Sequence, residues 1–295
     1  MRRYRVVHTT TYRYQSKVSL SYGQLCVLPR EFDGQRCMSS QVEVMPAPGD
    51  TRQRVDFFGN RVAYFAVETA HDTLEITADS EVEVSGPRPG RFDEPAASRS
   101  TAEAIDALAD VVGEQRVETA HYRLDSPRIT TDERVHEYAH PSFDDDRPVI
   151  EALQDLFQRI HRDFSFDPKA TSVSSTIDDL FEHGAGVCQD FAHLAVGCLR
   201  SQSLPARYVS GYLETIPPPG KKKIVGADVS HAWVDAFVPD LGWVGIDPTN
   251  DQFVNDRYIT TAWGRDYGDV SPLKGVIFSN GGKTELDVSV DVRPL

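Results

Sequence analysis

The sequence has little of several things, and each shortage excludes a class of protein. No stretch of its 295 residues approaches the ~20 consecutive apolar positions that span a bilayer, so no membrane partner is expected. The first residues, Met1-Arg2-Arg3-Tyr4-Arg5-Val6-Val7-His8, carry charge without an apolar run behind it, so no secretory leader is expected. Only four cysteines occur: Cys26, Cys37, Cys188 and Cys198. They show neither CxxC spacing nor the density of a disulfide scaffold, which points to a reducing cytoplasm. Four clustered ligands for a structural zinc are missing, and no cofactor or metal is expected. Basic residues are outnumbered 31 to 45, giving a net charge of −14. With no basic stripe to override it, that charge argues against a nucleic-acid partner. The run Lys221-Lys222-Lys223 follows Pro217-Pro218-Pro219-Gly220 and reads as a solvated loop tip. Asp144-Asp145-Asp146 reads as a charged lead-in to a helix rather than a metal site. There is no internal repeat.

What remains is a globular chain, 40% hydrophobic and 26% charged, long enough for two domains. Alternating segments at residues 6–14, 41–45, 60–67 and 74–84 are separated by Gly and Pro clusters, so residues 1–90 read as a β-rich domain, an antiparallel sheet or sandwich. No titratable cluster stands out there. Residues 91–147 read as a linker and helical lead-in, with a helix expected over 101–112. A core is expected over 148–295. It opens with a helix over 148–162 whose apolar face is Ile150, Leu153, Leu156, Phe157 and Ile160.

Within that core, residues 175–184 read as a short helix. Ser175 or Thr176 caps its start and Gly184 ends it. After Ala185-Gly186-Val187 a second helix begins at Cys188 and runs to about Gln202. A thiol in the first turn of a helix sits against free N–H groups and the positive dipole end, which favour a thiolate and a developing oxyanion. Gly186 leaves room for a substrate backbone. Most cysteines are small buried hydrophobes, and Cys198, mid-helix on the apolar face, reads as one.

Residues 230–238 alternate as a strand, with His231, Trp233, Asp235 and Phe237 on one face. Residues 243–247 are the return strand, ended by Pro248. If Phe237 pairs with Trp243, His231 lies diagonal to Asp247 on the same face, about 7–8 Å between backbones. The alternative register, Val238 with Trp243, turns His231 away. The first register is expected, because it alone makes a working pair. A helix-start Cys, a strand His and a strand Asp are the parts of an activated thiol: His takes the proton and Asp fixes its tautomer. Taken singly, His231 also reads as a core histidine and Asp247 as a turn cap.

Three segments together resemble the bacterial members of the transglutaminase-like superfamily: Gly186-Val187-Cys188-Gln189-Asp190-Phe191-Ala192-His193-Leu194, Ser230-His231-Ala232-Trp233-Val234-Asp235-Ala236-Phe237, and Gly242-Trp243-Val244-Gly245-Ile246-Asp247-Pro248-Thr249-Asn250. Arg207 to Tyr212 and Gly264-Arg265-Asp266-Tyr267 are similar too, and residues 1–85 resemble the β-rich domain that often precedes such a core. The resemblance implies an α+β, papain-like fold with helices packed on an antiparallel sheet, and a triad of Cys188, His231 and Asp247. Trp233, Tyr212 and Phe166 are the residues expected to meet substrate, a peptide or protein. Only the Cys188 N–H is named as an oxyanion donor. The implied reaction is acyl transfer from an amide through a Cys thioester. Hydrolysis is favoured over cross-linking, since nothing here resembles the calcium sites or extra β-barrels of animal cross-linkers. The competing readings are a non-catalytic binding module and a metal site on His231 and Asp247. The oligomeric state is not legible.

Overall fold

A computed structural model describes residues 1–88, 90–215 and 230–295; the lysine run of the expected loop tip lies outside the described residues. The N-terminal sheet is built on one long strand, β1 (Arg2–Leu25). Tyr4, Val6, His8 and Thr10 bury one face of it by simple alternation. Its neighbours are β2 (Gln35–Met45), β3 (Asp50–Val55), β4 (Arg61–Val67) and β5 (His71–Val84), in the order β2-β5-β1-β4-β3. The register against β5 shifts between Arg13 and Val18, which lets the first half of β1 pair with β5 and the second with β4.

Three helices follow: α1 (Thr101–Asp106), α2 (Gly113–His121) and α3 (Glu133–Ala139). The expected helix over 101–112 stops early. Ser100 and Glu103 cap its start, but it tightens into a 3-10 turn at 107–110, and Gly113 at φ 66° breaks the run. Next come α4 (Val149–Asp163), β6 (Ser165–Phe166), α5 (Ile177–His183), β7 (Ala185–Gly186) and α6 (Cys188–Ser201). The second sheet holds β8 (Ala206–Leu213), β9 (Ser230–Val238), β10 (Gly242–Asp247), β11 (Gln252–Phe253) and β12 (Tyr258–Gly264), in the order β11-β10-β9-β8-β12. The chain closes with α7 (Tyr267–Val270), β13 (Leu273–Ser279) and β14 (Thr284–Pro294).

The architecture is the expected α+β one. The apolar face of α4 buries Leu153, Leu156, Phe157 and Ile160, while Ile150 is half-buried. They join Ala195, Cys198 and Leu199 of α6 and Ala232, Val234 and Ala236 of β9 in one cluster. Two parts of the expected partition differ. Val135, Ala139 and Phe143 belong to that same cluster, so the helical lead-in is part of the core. At the other end, β13 and β14 leave the core and pair with β1, Leu25 against Leu273 and Tyr4 against Pro294. Val290 and Val292 explain the return: they bury with Tyr4, Val6, Val82 and Ile259 in the seam between the sheets.

That seam is also polar. The Gln35 side-chain amide donates to the Thr260 carbonyl (2.7 Å) and accepts from the Thr260 N–H (2.8 Å). Asn60 does the same at Trp263, at 2.9 Å both ways. Two amides of the N-terminal domain, with the Arg30 N–H on the Thr260 carbonyl at 3.3 Å, thus satisfy the outer edge of β12.

Candidate active site

The approach to Cys188 is fixed by local bonds. Thr176 and Asp179 cap α5 reciprocally, at 3.2 and 2.8 Å, and Gly184 ends it at φ 64°. β7 then pairs in parallel with β6, Phe166 beside Gly186. Asp190, in the first turn of α6, folds back so that its Oδ2 accepts the Val187 N–H (2.8 Å) and the Thr171 hydroxyl (2.6 Å). A side chain at position 186 would come within 2.8 Å of that carboxylate, so this glycine makes room for Asp190 rather than for a substrate. Among the described residues, no hydrogen bond uses the N–H of Cys188 or Gln189. These are the unpaired donors a helix start provides.

His231 and Asp247 meet as the alternation demanded. Trp243 pairs with Phe237 and Ile246 with Val234, which puts both residues on one face of the sheet. His231 Nε2 lies 2.7 Å from Asp247 Oδ2. Asn250 Nδ2 lies 3.3 Å from the same ring nitrogen, so Nδ1 is the nitrogen free of Asp247, and Cys188 neighbours the imidazole. Asp247 is fully buried and saturated with donors. Its Oδ2 also accepts from the Tyr258 hydroxyl (2.6 Å) and Asn250 Nδ2 (2.7 Å). Oδ1 accepts the N–H groups of Thr249 (2.9 Å) and Asn250 (3.2 Å).

These bonds decide the charges. Burial works against ionising Asp247, but His231 and the donors outweigh it and hold the carboxyl below its ordinary range. Burial likewise works against a charged His231. The carboxylate, and to a lesser degree Cys188, outweigh it and raise the imidazole to about 10. An imidazolium formed on His231 is therefore stabilised by its buried partner.

The three residues expected to meet substrate fare differently. Phe166 is 56% exposed on β6, beside the approach to Cys188. Trp233 is 1% exposed, its ring 6.1 Å from that of His231 and 5.2 Å from that of Tyr258, so it is a wall behind the pair and not a contact surface. Tyr212 is buried in the seam, its hydroxyl 2.9 Å from His8 Nδ1, because this end of β8 packs on β1 rather than on α6. Sequence reasoning gave no role to Asn250, Asp190 or Tyr258. Asn250 follows Asp247 by three residues, an Asx-turn spacing that was readable. Asp190 sits where a back-cap belongs. Tyr258 lies on another strand, and no spacing announces it.

This fold, with a Cys at a helix start and a bonded His–Asp pair on neighbouring strands, defines a papain-like core. Residues 4–83 match the bacterial transglutaminase-like N-terminal region and residues 136–248 match the transglutaminase-like superfamily. The chain belongs to the transglutaminase-like superfamily. It is 44% identical over 296 residues to an uncharacterised protein of Mycobacterium tuberculosis, covering 99% of this chain and 93% of that one. A Mycobacterium leprae protein is 36% identical over the full length of both. A protein-glutamine gamma-glutamyltransferase of Pseudomonas aeruginosa is 31% identical over 123 residues, 41% of this chain and 18% of that one. Among solved structures, a Cytophaga hutchinsonii protein whose assignment as a cysteine protease is itself a proposal superposes with a TM-score of 0.77. It is 18% identical and covers 100% of this chain and 91% of that one, which shows the shared fold.

Proposed function

We propose that the chain is a cytoplasmic thiol acyl-transfer enzyme that hydrolyses peptide or side-chain amides. One observation carries the reading: the bonded His231–Asp247 pair adjoins Cys188 at the first residue of α6. His231 Nδ1 takes the thiol proton, and the sulfur attacks the amide carbon. The carbonyl oxygen becomes an oxyanion held by the Cys188 N–H. His231 then gives its proton to the departing nitrogen, the C–N bond breaks and a thioester remains. Water, deprotonated by His231, attacks the thioester and releases the acid and the thiol. Asp247 keeps the imidazole oriented throughout.

A second reading shares the first half-reaction. The similarity to a gamma-glutamyltransferase over 123 residues favours an amine as the acyl acceptor, which would make the product a new amide. A peptide library incubated with and without an added amine separates the two by mass. Chain cleavage or deamidation supports hydrolysis, and amine incorporation with ammonia loss supports transfer. No product dependent on Cys188 under either condition refutes both and leaves the binding-module reading.

A further inference from the structure

We propose that Tyr258 is a positioning residue: by sharing Oδ2 of Asp247 with His231, its hydroxyl limits how tightly the pair holds a proton. The inference rests on His231 being the base for Cys188 and adds a control on that base.

The starting point is crowding on one atom. Oδ2 receives His231 Nε2 at 2.7 Å, the Tyr258 hydroxyl at 2.6 Å and Asn250 Nδ2 at 2.7 Å. A carboxylate oxygen offers about two lone-pair sites, so three donors divide its charge. Hydrogen bonds to an ionised acceptor are the strong ones, so each donor weakens the other two.

The hydroxyl cannot turn elsewhere. Gln252 Nε2 donates to the Tyr258 oxygen at 2.6 Å, so the single hydroxyl proton is left to point at Asp247. The Gln252 amide is oriented in turn by Arg257, whose guanidinium donates to Oε1 at 3.1 Å. Arginine only donates and an ionised carboxylate only accepts. The chain Arg257, Gln252, Tyr258, Asp247 therefore has one polarity. Tyr258 is itself anchored: it pairs with Leu213 on β8, packs against Trp233 and is 2% exposed.

Among the described residues, the titratable groups that act most on His231 are Asp247 from β10 and Cys188 from α6. Those acting on Asp247 are His231 from β9 and Tyr258 from β12, with the Asn250 amide beside them. Arg257 and Asp247 act on Tyr258.

The sign follows. Without the hydroxyl, more of the Asp247 charge falls on Nε2–H, and the imidazolium is held to higher pH. The experiment uses the full chain labelled with ¹⁵N at histidine, its His231 signal assigned by loss in His231→Gln. In Tyr258→Phe the titration midpoint of His231 is expected to rise by about one pH unit, tenfold in proton affinity. In Gln252→Leu, where the hydroxyl loses its fixed direction, a smaller rise of the same sign is expected. An unchanged or lowered midpoint in a folded Tyr258→Phe overturns the proposal and reduces Tyr258 to a packing role. If Tyr258→Phe does not fold, Gln252→Leu decides by the same criterion. The titration needs no substrate, so it can fail while Cys188-dependent acyl transfer stands, and the reverse.

Discussion

Helix α6 carries two thiols that touch the same apolar cluster but sit in different surroundings. Cys188 is its first residue, half-buried, beside His231 and two backbone N–H groups without a partner among the described residues. Cys198 lies about three turns further on, fully buried among Val135, Leu194 and Leu199. Its sulfur lies 4.0 Å from the Val135 carbonyl, and burial pushes its thiol far up. The same side chain is a candidate nucleophile at one end of the helix and a core hydrophobe in its interior. What differs is not the cysteine but whether a base, a free donor and solvent meet at it.

The sharpest way to break that contrast is substitution. Cys188→Ala is expected to abolish acyl transfer, while Cys198→Ala keeps it at a stability cost of about 1–2 kcal/mol from the small void left behind. Peptide turnover and thermal denaturation of both variants check this. Next in size is the pair that serves one thiol only. Asp247→Asn keeps the shape but disturbs the tautomer of His231, and a fall of about 10²–10⁴ in turnover is expected. Equal turnover in Asp247→Asn and the parent would remove Asp247 from the account.

Smaller effects fall on stability. His231 is raised and Asp247 lowered in the folded chain, so their pairing contributes fully above the ordinary carboxylate value and below the ordinary imidazole value. On the alkaline side this stability is lost as pH climbs from about 6.5 through about 10, the folded value of His231. On the acid side it is lost as pH falls below 3.8 through the lowered value of Asp247. In His231→Gln the pair is gone, and thermal midpoints followed from pH 6 to 10 should decline less than in the parent. The smallest effect belongs to the seam. Gln35→Ala removes both side-chain bonds to the Thr260 backbone, leaving its carbonyl the Arg30 N–H at 3.3 Å, and is expected to cost about 1–3 kcal/mol, read from chemical denaturation.

Much of the site was legible because alternation is a strict rule. Once Phe237 pairs with Trp243, His231 and Asp247 must share a face, and one step of slippage would have separated them. The start of α6 was legible from its glycines and from the break before Cys188. What the sequence hid was non-local. Tyr258 reaches Asp247 from β12, and Tyr212 was misread because the seam with β1 is not written in its own segment. The return of β13 and β14 to β1 was missed for the same reason: alternation announces a strand but not its partner. The role of Gly186 was also misassigned, since the carboxylate that needs its space folds back from Asp190.

The central claim is that Cys188 is activated by its surroundings. Iodoacetamide labelling of each cysteine at neutral pH, followed by peptide mass against time in the parent and in His231→Gln, tests it most directly. The account predicts that Cys188 labels faster than a free peptide thiol, that Cys198 does not label in the folded chain, and that the Cys188 advantage collapses in His231→Gln. Labelling of Cys188 no faster than a free thiol, or equally fast without His231, would contradict it.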